Sequence, residues 1–410
     1  MKILLINKFH YLRGGAERAY FDTANILAKH GHEVAFFSMN HPSNEPSKWS
    51  EFFVDNIDYR EKGLGIGKKI ISTLRIWYNF QAANRLEALL KKFKPDVAHL
   101  HNIYHQLSPS IINVLKKHGI PMVMTLHDYK LICPNYSLLV RGQIWERSKQ
   151  NKYYFCLKDK CVDNSFFKSL VCTIEAYLHK FWKVYSKVNL FISPSQFLIS
   201  KFQEFGFKKE IVYLPNPFLA EEIKETSPSA VKKKYILYYG RISEEKGIAD
   251  LLRAYGRLKT NISLNIVGTG PAEKELKNIV SQEKISNVNF LGYRTGAELW
   301  RQVRGAELVV VPSKWYENAP YIVVEVMALK KIVLASRLGG LKEMIQDGVD
   351  GFLFEPGNIE DLKNKIEYIL SHPELQESIG EQAGAAIKDK NDREKYYQNL
   401  KEVYERAMKM

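Results

Sequence analysis

The sequence predicts an α/β protein built from two doubly wound, Rossmann-like domains. Two observations carry that prediction. The succession strand, glycine loop, helix, strand occurs at the amino terminus and again from Tyr235. The chain has 410 residues, enough for about two domains of ordinary size, each with its own core.

The first half opens on Ile3–Ile6, an apolar run too short for a signal peptide and read as a buried strand. Gly14-Gly15 follow in a loop, then a helix over Glu17–His30 stopped by Gly31, then a strand over Glu33–Phe37. Further strands are expected at Val97–Leu100, Pro121–Thr125 and Leu190–Ser193. Residues 129–188, rich in Lys, Tyr, Phe and Cys, break the alternation and read as an insertion ending in a helix.

The second half opens on Tyr235–Tyr239, continues through Gly240-Arg241 and turns into a helix after Lys246-Gly247. Leu264–Val267 leads into Gly268-Thr269-Gly270-Pro271; Val288–Leu291, Leu308–Val311 and Ile332–Ala335 supply further strands. Pro215-Asn216-Pro217 and Ser227-Pro228-Ser229 mark the linker. The expected division is 1–212 for the first domain and 213–390 for the second, followed by a last helix over about 391–410. No run approaches 18 apolar residues, so no transmembrane helix is expected and the chain is placed in the cytoplasm.

Charge is distributed unevenly. Residues 1–210 hold 31 Lys and Arg against 17 Asp and Glu, whereas the remainder holds 29 against 28. The excess of +15 therefore sits almost wholly in the first half and points to an anionic partner there, or to a basic surface without one. Two stretches, Lys68–Tyr78 and Lys180–Lys187, mix bases with large apolar groups; they fit interfacial amphipathic helices and core-facing helices equally. Cys133, Cys156, Cys161 and Cys172 cluster in the insertion without a C-x2-C pair. They read as structural thiols, with disulfides not expected in a cytosolic protein and a metal site only weakly signalled.

The densest chemistry lies between Trp315 and Glu325. Glu317 falls in the loop after a parallel strand. Pro320 suits the first helical turn, and Glu325 falls in the second. The amides of such a helix start favour phosphate, and the carboxylates can take hydroxyl hydrogen bonds, a pairing that suits a nucleotide sugar. Arg241 and Lys246, just past the strand ending at Tyr239, are placed to neutralise a diphosphate, although Glu244 and Glu245 lie between them. In the first half the strand ends offer Gly14-Gly15, His99–Asn102 and His127-Asp128. His127-Asp128 suggests a hydrolase pair, but no G-x-S-x-G elbow accompanies it. There is no G-x4-G-K-[ST] loop and no H-E-x-x-H, and Gly268-Thr269-Gly270 lacks the third glycine of a dinucleotide site.

These motifs, in this order, resemble the retaining glycosyltransferases of family 4, which have the GT-B architecture of two Rossmann-like domains facing each other across a cleft. The resemblance spans nearly the whole chain. It is most specific at Gly240-Arg241, Glu245-Lys246-Gly247, Val267–Pro271, Phe290-Leu291-Gly292 and the Glu317/Glu325 pair, with Gly14–Glu17 and Thr125–Tyr129 in support.

The resemblance implies a catalytic set of Glu317, His127, Arg241 and Lys246. The two cations would hold the diphosphate, Glu317 would meet the donor sugar, and His127 would sit beside its hydroxyls. Glu325 would hold the ribose, Phe290 to Arg294 would line the base pocket, and Gly14, Gly15, Gly268, Gly270, Asn318, Ala319 and Tyr321 would complete the donor site. It also implies same-face attack with retention, no metal and no cofactor beyond the donor, and a last helix that crosses back to the first domain. In some relatives a cysteine pair stands where this chain has Ile144–Ser148.

The expected function is transfer of a hexose from a nucleoside-diphosphate sugar to a glycan or polyprenyl-diphosphate-linked acceptor in cell-envelope polysaccharide synthesis. The protein would work in the cytoplasm, peripherally on the inner face of the membrane, and would use no nucleic acid. A GT-B sugar-nucleotide epimerase and a non-catalytic nucleotide-sugar binding protein are the alternatives. The intact Glu317, Arg241 and Lys246 favour the transferase.

Overall fold

The computed structural model describes residues 1–56, 73–218 and 234–410. By internal contacts the chain divides into two units. One comprises Met1–Val140, Trp145–Pro217 and Arg393–Met410; the other comprises Arg141–Ile144 and Phe218–Asp392.

The first unit is built on strands β1 (Lys2–Ile6), β2 (Glu33–Phe37), β3 (Val97–Leu100) and β4 (Met122–Thr125). The insertion then adds the short strands β5 (Leu139–Val140) and β6 (Gln143–Ile144), and the sheet resumes with β7 (Leu190–Ser193) and β8 (Ile211–Tyr213). The main sheet runs in the order β2-β1-β3-β4-β7-β8, and every pairing is parallel. Its inner strands are near-continuous apolar runs because helices cover both faces; Ile3 to Ile6 are fully buried. The order reverses between β1 and β3, and that switch point is where an open parallel sheet leaves a crevice at its carboxyl ends.

β8 went unforeseen. Three residues at a sheet edge give little periodicity, yet they pair with β7, and the Leu214 amide donates to the Ser193 carbonyl at 2.9 Å. The sheet therefore extends past the expected boundary at 212. Of the two linker marks, Pro215–Pro217 closes the first unit, whereas Ser227–Ser229 lies outside the described residues.

The helix Gly15–Lys29 starts two residues earlier than expected, with Gly14 at its cap in extended backbone. The last helix, Arg393–Met408, packs on that helix and on β3 and β4. Tyr396 meets Thr23 at 2.8 Å and Tyr404 meets His99 Nδ1 at 2.8 Å, so this helix completes the first unit although it ends the chain.

In the insertion the helix Phe166–Phe181 buries Ser169, Cys172, Glu175 and His179 on one face. The stretch 180–187 is not one amphipathic helix. The helix ends at Phe181, Lys183 takes the left-handed conformation at φ 50°, and a 3-10 turn follows over Val184–Lys187. Of the other stretch, 68–72 lie outside the described residues and 73–77 are helical. A second correction concerns the cysteines. Cys156 and Cys161 form a disulfide, and Cys133 and Cys172 are free and buried. The expectation against disulfides rested on compartment alone. Locally the Cys161 amide bonds the Cys156 carbonyl at 2.9 Å as the chain leaves a short helix, which brings the two Cα atoms to 4.8 Å, within reach of a bridge.

The second unit holds β9 (Tyr235–Tyr239), β10 (Ser263–Val267), β11 (Val288–Gly292), β12 (Leu308–Val311), β13 (Val333–Ser336) and β14 (Phe352–Phe354). They form a parallel sheet in the order β11-β10-β9-β12-β13-β14, with the switch point between β9 and β12. Alternation along the strands feeds two cores. Ile236, Tyr238, Leu308, Val310 and Leu334 enter one, and Tyr235, Leu237, Tyr239, Val309, Val311, Val333 and Ala335 enter the other.

Candidate active site

In the second unit the loops after β9 and β12 meet at the switch point. β12 ends at Val311 and the chain passes through Ser313 and Glu317 to the helix Tyr321–Ala328. Pro320 caps this helix in extended backbone rather than lying in its first turn, and its own side chain makes no cap hydrogen bond. Glu325 lies in the second turn, as expected.

Glu317 is 5% exposed. Its Oε1 accepts from Lys246 Nζ and from Ser313 Oγ, each at 2.7 Å. Burial pushes this carboxyl up, but the charge and hydrogen bond of Lys246 and the bond from Ser313 outweigh it and hold the group below its ordinary value. Glu317 is thus an ionised carboxylate, fixed in place, and Lys246 is a cation fixed beside it. Lys246 also lies over the Trp315 ring, 5.4 Å from its centre. Arg241 pairs with Glu245, which in turn accepts from Ser243 Oγ at 2.7 Å. The Tyr239 hydroxyl donates to Glu325 Oε2 at 2.7 Å, so the buried carboxylate is anchored to the end of β9.

Gly268 and Gly270 serve the backbone of these loops. A Cβ on Gly268 would stand 1.9 Å from the Gly240 carbonyl oxygen, and one on Gly270 would stand 2.1 Å from that of Ile242. Gly339-Gly340, which sequence reasoning passed over, brace Glu317 and Asn318 from behind. The Gly340 amide donates to the Glu317 carbonyl at 2.7 Å, and a Cβ there would stand 1.6 Å from the Asn318 carbonyl oxygen. The signal was present as paired glycines just past a buried strand. Ser336 adds a further brace, its hydroxyl donating to the Ser313 carbonyl at 2.7 Å.

Lys246 and Glu317 are therefore brought together, with Arg241, Glu325, Asn318, Ala319 and Tyr321 on the same or adjoining loops and helix. Phe290 and Arg294 lie on and after β11, the edge strand, two places from β9. Phe290 packs partly on the core with Lys277 over its ring at 5.3 Å, and Arg294 faces Glu298 at 3.7 Å.

In the first unit the carboxyl ends of β1, β3 and β4 carry a second polar cluster. Gly14 and Gly15 are exposed at the start of a helix whose first turn holds Glu17. Glu17 is buried, which pushes its carboxyl up, and Asn7 Nδ2 donates to it at 3.3 Å. His127, past β4, shares a hydrogen bond of 2.9 Å between its Nε2 and His101 Nδ1. Burial lowers His127 to about 4, so the ring is neutral near pH 7. Asp128 is bound by the Tyr104 hydroxyl at 2.5 Å and the Lys130 amide at 2.9 Å. Both bonds fall on Oδ1, and no hydrogen bond joins Asp128 to His127 as a hydrolase-type pair would require.

Among the described residues, His105, Cys172 and Glu175 bring metal-ligand atoms within 4.8 Å of one another. They do not suit a metal. Lys130 Nζ already lies 2.6 Å from Glu175 Oε2 as the local cation, and burial pushes the Cys172 thiol up to about 11.

Comparison with known proteins shows the family of this chain. The family model described as Glycosyltransferase Family 4 matches residues 13–218, and that described as Glycosyl transferases group 1 matches residues 220–385. An uncharacterized glycosyltransferase of Methanocaldococcus jannaschii is 25% identical over 99% of this chain and 98% of its own length. The lipopolysaccharide 1,2-N-acetylglucosaminetransferase of Salmonella typhimurium is 31% identical over 53% of this chain and 61% of its own length. Among solved structures, a glycosyltransferase from Rickettsia africae superposes with a TM-score of 0.70 at 16% identity, covering 100% of this chain and 98% of the other. The Anabaena HepE structure in complex with UDP superposes with 0.67 at 20% identity, covering 98% and 99%. Both solved structures share this fold of two parallel six-stranded sheets covered by helices.

Proposed function

Because this chain belongs to glycosyltransferase family 4, we propose that it moves a hexose from a nucleoside-diphosphate sugar to a glycan or lipid-linked acceptor, with retention, in cell-envelope polysaccharide synthesis. The observation that carries this reading is the fixed pair of Lys246 and Glu317 at the switch point of the second sheet. A departing diphosphate needs positive charge already in place, which Lys246, Arg241 and the positive end of the helix after Pro320 supply. Glu317 takes hydroxyl hydrogen bonds from the sugar and Glu325 holds the ribose. Asn318, Ala319 and Tyr321 present the helix start, and Phe290 to Arg294 receive the base. In the first unit Gly14 and Gly15 allow close approach of the diphosphate, and His127 faces the sugar hydroxyls. Attack on the face that the diphosphate leaves, through an ion-pair-like transition state, keeps the anomeric configuration without a protein nucleophile.

A panel of UDP-, GDP-, ADP- and dTDP-sugars in a thermal-shift assay tests this directly, followed by detection of slow nucleoside diphosphate release. One class should stabilise the fold selectively. Failure of every donor to bind would overturn the reading.

Transfer is proposed to need no divalent metal, since fixed cations already meet the phosphates. The enzyme should keep its rate in EDTA. Complete loss, restored by Mg²⁺ or Mn²⁺, would contradict this.

The basic first unit is proposed to dock reversibly on anionic membrane, where a lipid-linked acceptor resides. Phe181 is 81% exposed and Trp182 44%, beside the exposed Lys180 and Lys183. Phe80 and Leu74 are also exposed, and the backbone at Trp77 is tied to the same helix by His179 Nε2 at 3.2 Å. Each well-placed Lys or Arg near an anionic surface contributes about 1 kcal/mol, screened by salt. Liposome flotation should show binding to anionic vesicles at low salt, weakened at high salt and by Phe181→Ser with Trp182→Ser. Indifference to anionic vesicles at low salt would remove the lipid-carrier reading. No helix among the described residues is long and apolar enough to cross a membrane.

A further inference from the structure

Three histidines form a stack at the carboxyl ends of β3 and β4. His99 and His101 are stacked at 4.5 Å between ring centres, and His101 and His127 at 5.2 Å with planes 16° apart. His99 is satisfied on both nitrogens, by the Tyr404 hydroxyl at 2.8 Å and the Thr125 hydroxyl at 2.7 Å. His101 is different. Its Nδ1 meets His127 Nε2 at 2.9 Å, while its Nε2 is buried and has no hydrogen-bond partner. The ring of Tyr20 stands nearly perpendicular to it, at 80° and 5.4 Å.

We propose that His101 is a positioning residue that fixes the tautomer of His127: His127 Nε2–H donates to His101 Nδ1, so that His127 keeps a bare Nδ1 lone pair. Two neutral arrangements of the pair exist, and each has one proton between the rings. If His101 Nδ1 carried that proton, its Nε2 would be a buried lone pair with no donor, and the neighbouring Tyr20 ring, whose face is negative, offers it none. If His127 Nε2 carries it, His101 Nε2 is an N–H, which aromatic rings tolerate as a weak acceptor. The second arrangement also leaves both imidazoles with the proton on Nε2, the form that a neutral histidine ordinarily prefers. The pair has one shared proton because burial keeps both rings neutral: His127 is lowered to about 4 and His101 lies well below its ordinary value. The nitrogen opposite a hydrogen bond inherits its role from that bond.

The consequence rests on the reading above that His127 faces the donor sugar. A bare Nδ1 accepts from a sugar hydroxyl and cannot donate to one. That hydroxyl is then turned with its proton toward His127, and its own lone pairs are left for other donors. His127 would reject an analogue with fluorine in place of that hydroxyl, since fluorine brings no proton to the lone pair.

The test is ¹⁵N NMR of the histidine-labelled full-length chain without ligand, where protonated and bare ring nitrogens resonate far apart. His127 should show Nε2–H and bare Nδ1. The opposite tautomer would overturn the proposal. In His101→Leu, which keeps bulk and removes the acceptor, His127 should become a mixture of tautomers. In His101→Asn, whose amide oxygen can stand where Nδ1 stood, the single tautomer should return. Turnover should follow, with kcat/KM down about tenfold in the Leu variant, the size of one lost hydrogen bond, and largely restored in the Asn variant. Should the Leu variant not fold, the wild-type spectrum and the Asn variant still decide the tautomer. If the tautomer is as proposed but saturating donor leaves the His127 signals unmoved, the assignment of His127 to the donor fails while the role of His101 stands.

Discussion

Lys246→Ala should reduce turnover by on the order of 30- to 1000-fold, the equivalent of about 2–4 kcal/mol of lost charge stabilisation in the transition state. Arg241→Ala should fall in the same range, but the two variants should differ in stability. The Arg241 side chain is 57% exposed and its pairing with Glu245 is a surface contact, worth little to the fold. Lys246 is the cation of a buried carboxylate. Without it, Glu317 keeps the bond from Ser313 but loses the charge that offsets its burial. Its cost should be smaller than the loss seen when a fully buried pair is broken, because Lys246 itself is partly in solvent.

The sign with pH follows. In the native protein the folded value of Glu317 lies below the ordinary 4.5, so the group contributes stability that is present above 4.5 and lost as pH falls through the folded value. In Lys246→Ala burial dominates and the folded value moves above 4.5. The carboxylate then destabilises the variant increasingly as pH rises from 4.5. The gap in melting temperature between the native protein and Lys246→Ala should therefore be wider at pH 8 than at pH 5, while Arg241→Ala shows little gap at either. Near-normal kinetics in both variants, with the right donor and acceptor, would refute the assignment of the diphosphate site.

The second unit was the more legible in sequence because its chemistry is local. Arg241, Lys246 and the Glu317–Glu325 segment are each carried by short runs, and their strand ends are marked by apolar runs and glycines. Periodicity could not show the strand order. Both halves repeat the same succession of elements, yet one sheet reverses between β1 and β3 and the other between β9 and β12. The first unit's cluster was hidden for another reason. Tyr104 reaches Asp128, Lys130 reaches Glu175, and Asn102 reaches Asn7, with partners 24, 45 and 95 residues apart and no fixed spacing to betray them. The serine braces behind Glu317 were equally silent, since the Ser313 hydroxyl reaches its carboxylate and the Ser336 hydroxyl reaches the Ser313 carbonyl with no fixed spacing, whereas the paired glycines Gly339-Gly340 were visible but unread.

Glu175→Ala should cost about 3–5 kcal/mol, the largest stability loss expected of any single change in the insertion. Glu175 is 1% exposed and Lys130 is 8% exposed. The carboxylate takes Lys130 Nζ at 2.6 Å and His105 Nδ1 at 3.1 Å, and His179 Nδ1 stands at 4.0 Å. Lys130 also ties the Pro134 carbonyl, and its amide holds Asp128, so the pair joins the helix Phe166–Phe181 to the loop after β4. Removing the carboxylate alone leaves an ammonium buried without its counter-charge. Removing both partners, as Lys130→Met with Glu175→Leu, takes away the charge with its partner and should recover much of the loss.

Burial opposes both charges, but attraction wins: His105 and Lys130 hold Glu175 far below its ordinary 4.5, and Glu175 raises Lys130 above its ordinary 10.5. The carboxylate's contribution is thus present above 4.5 and fades as pH falls through its folded value. The ammonium's is present below 10.5 and fades as pH rises through its own. Near neutral pH the deficit of Glu175→Ala should hold steady; it should shrink in strong acid, where the native carboxylate loses its charge, and again in alkali, where Lys130 sheds its proton. Because the chain has two units that need not unfold together, the measurement should be local: hydrogen exchange of the amides in Phe166–Phe181 reports the opening free energy of this helix. Equal protection in the native protein and Glu175→Ala would show that the pair contributes nothing there. A double variant no better protected than the single one would show that the helix needs the charges themselves rather than their mutual compensation.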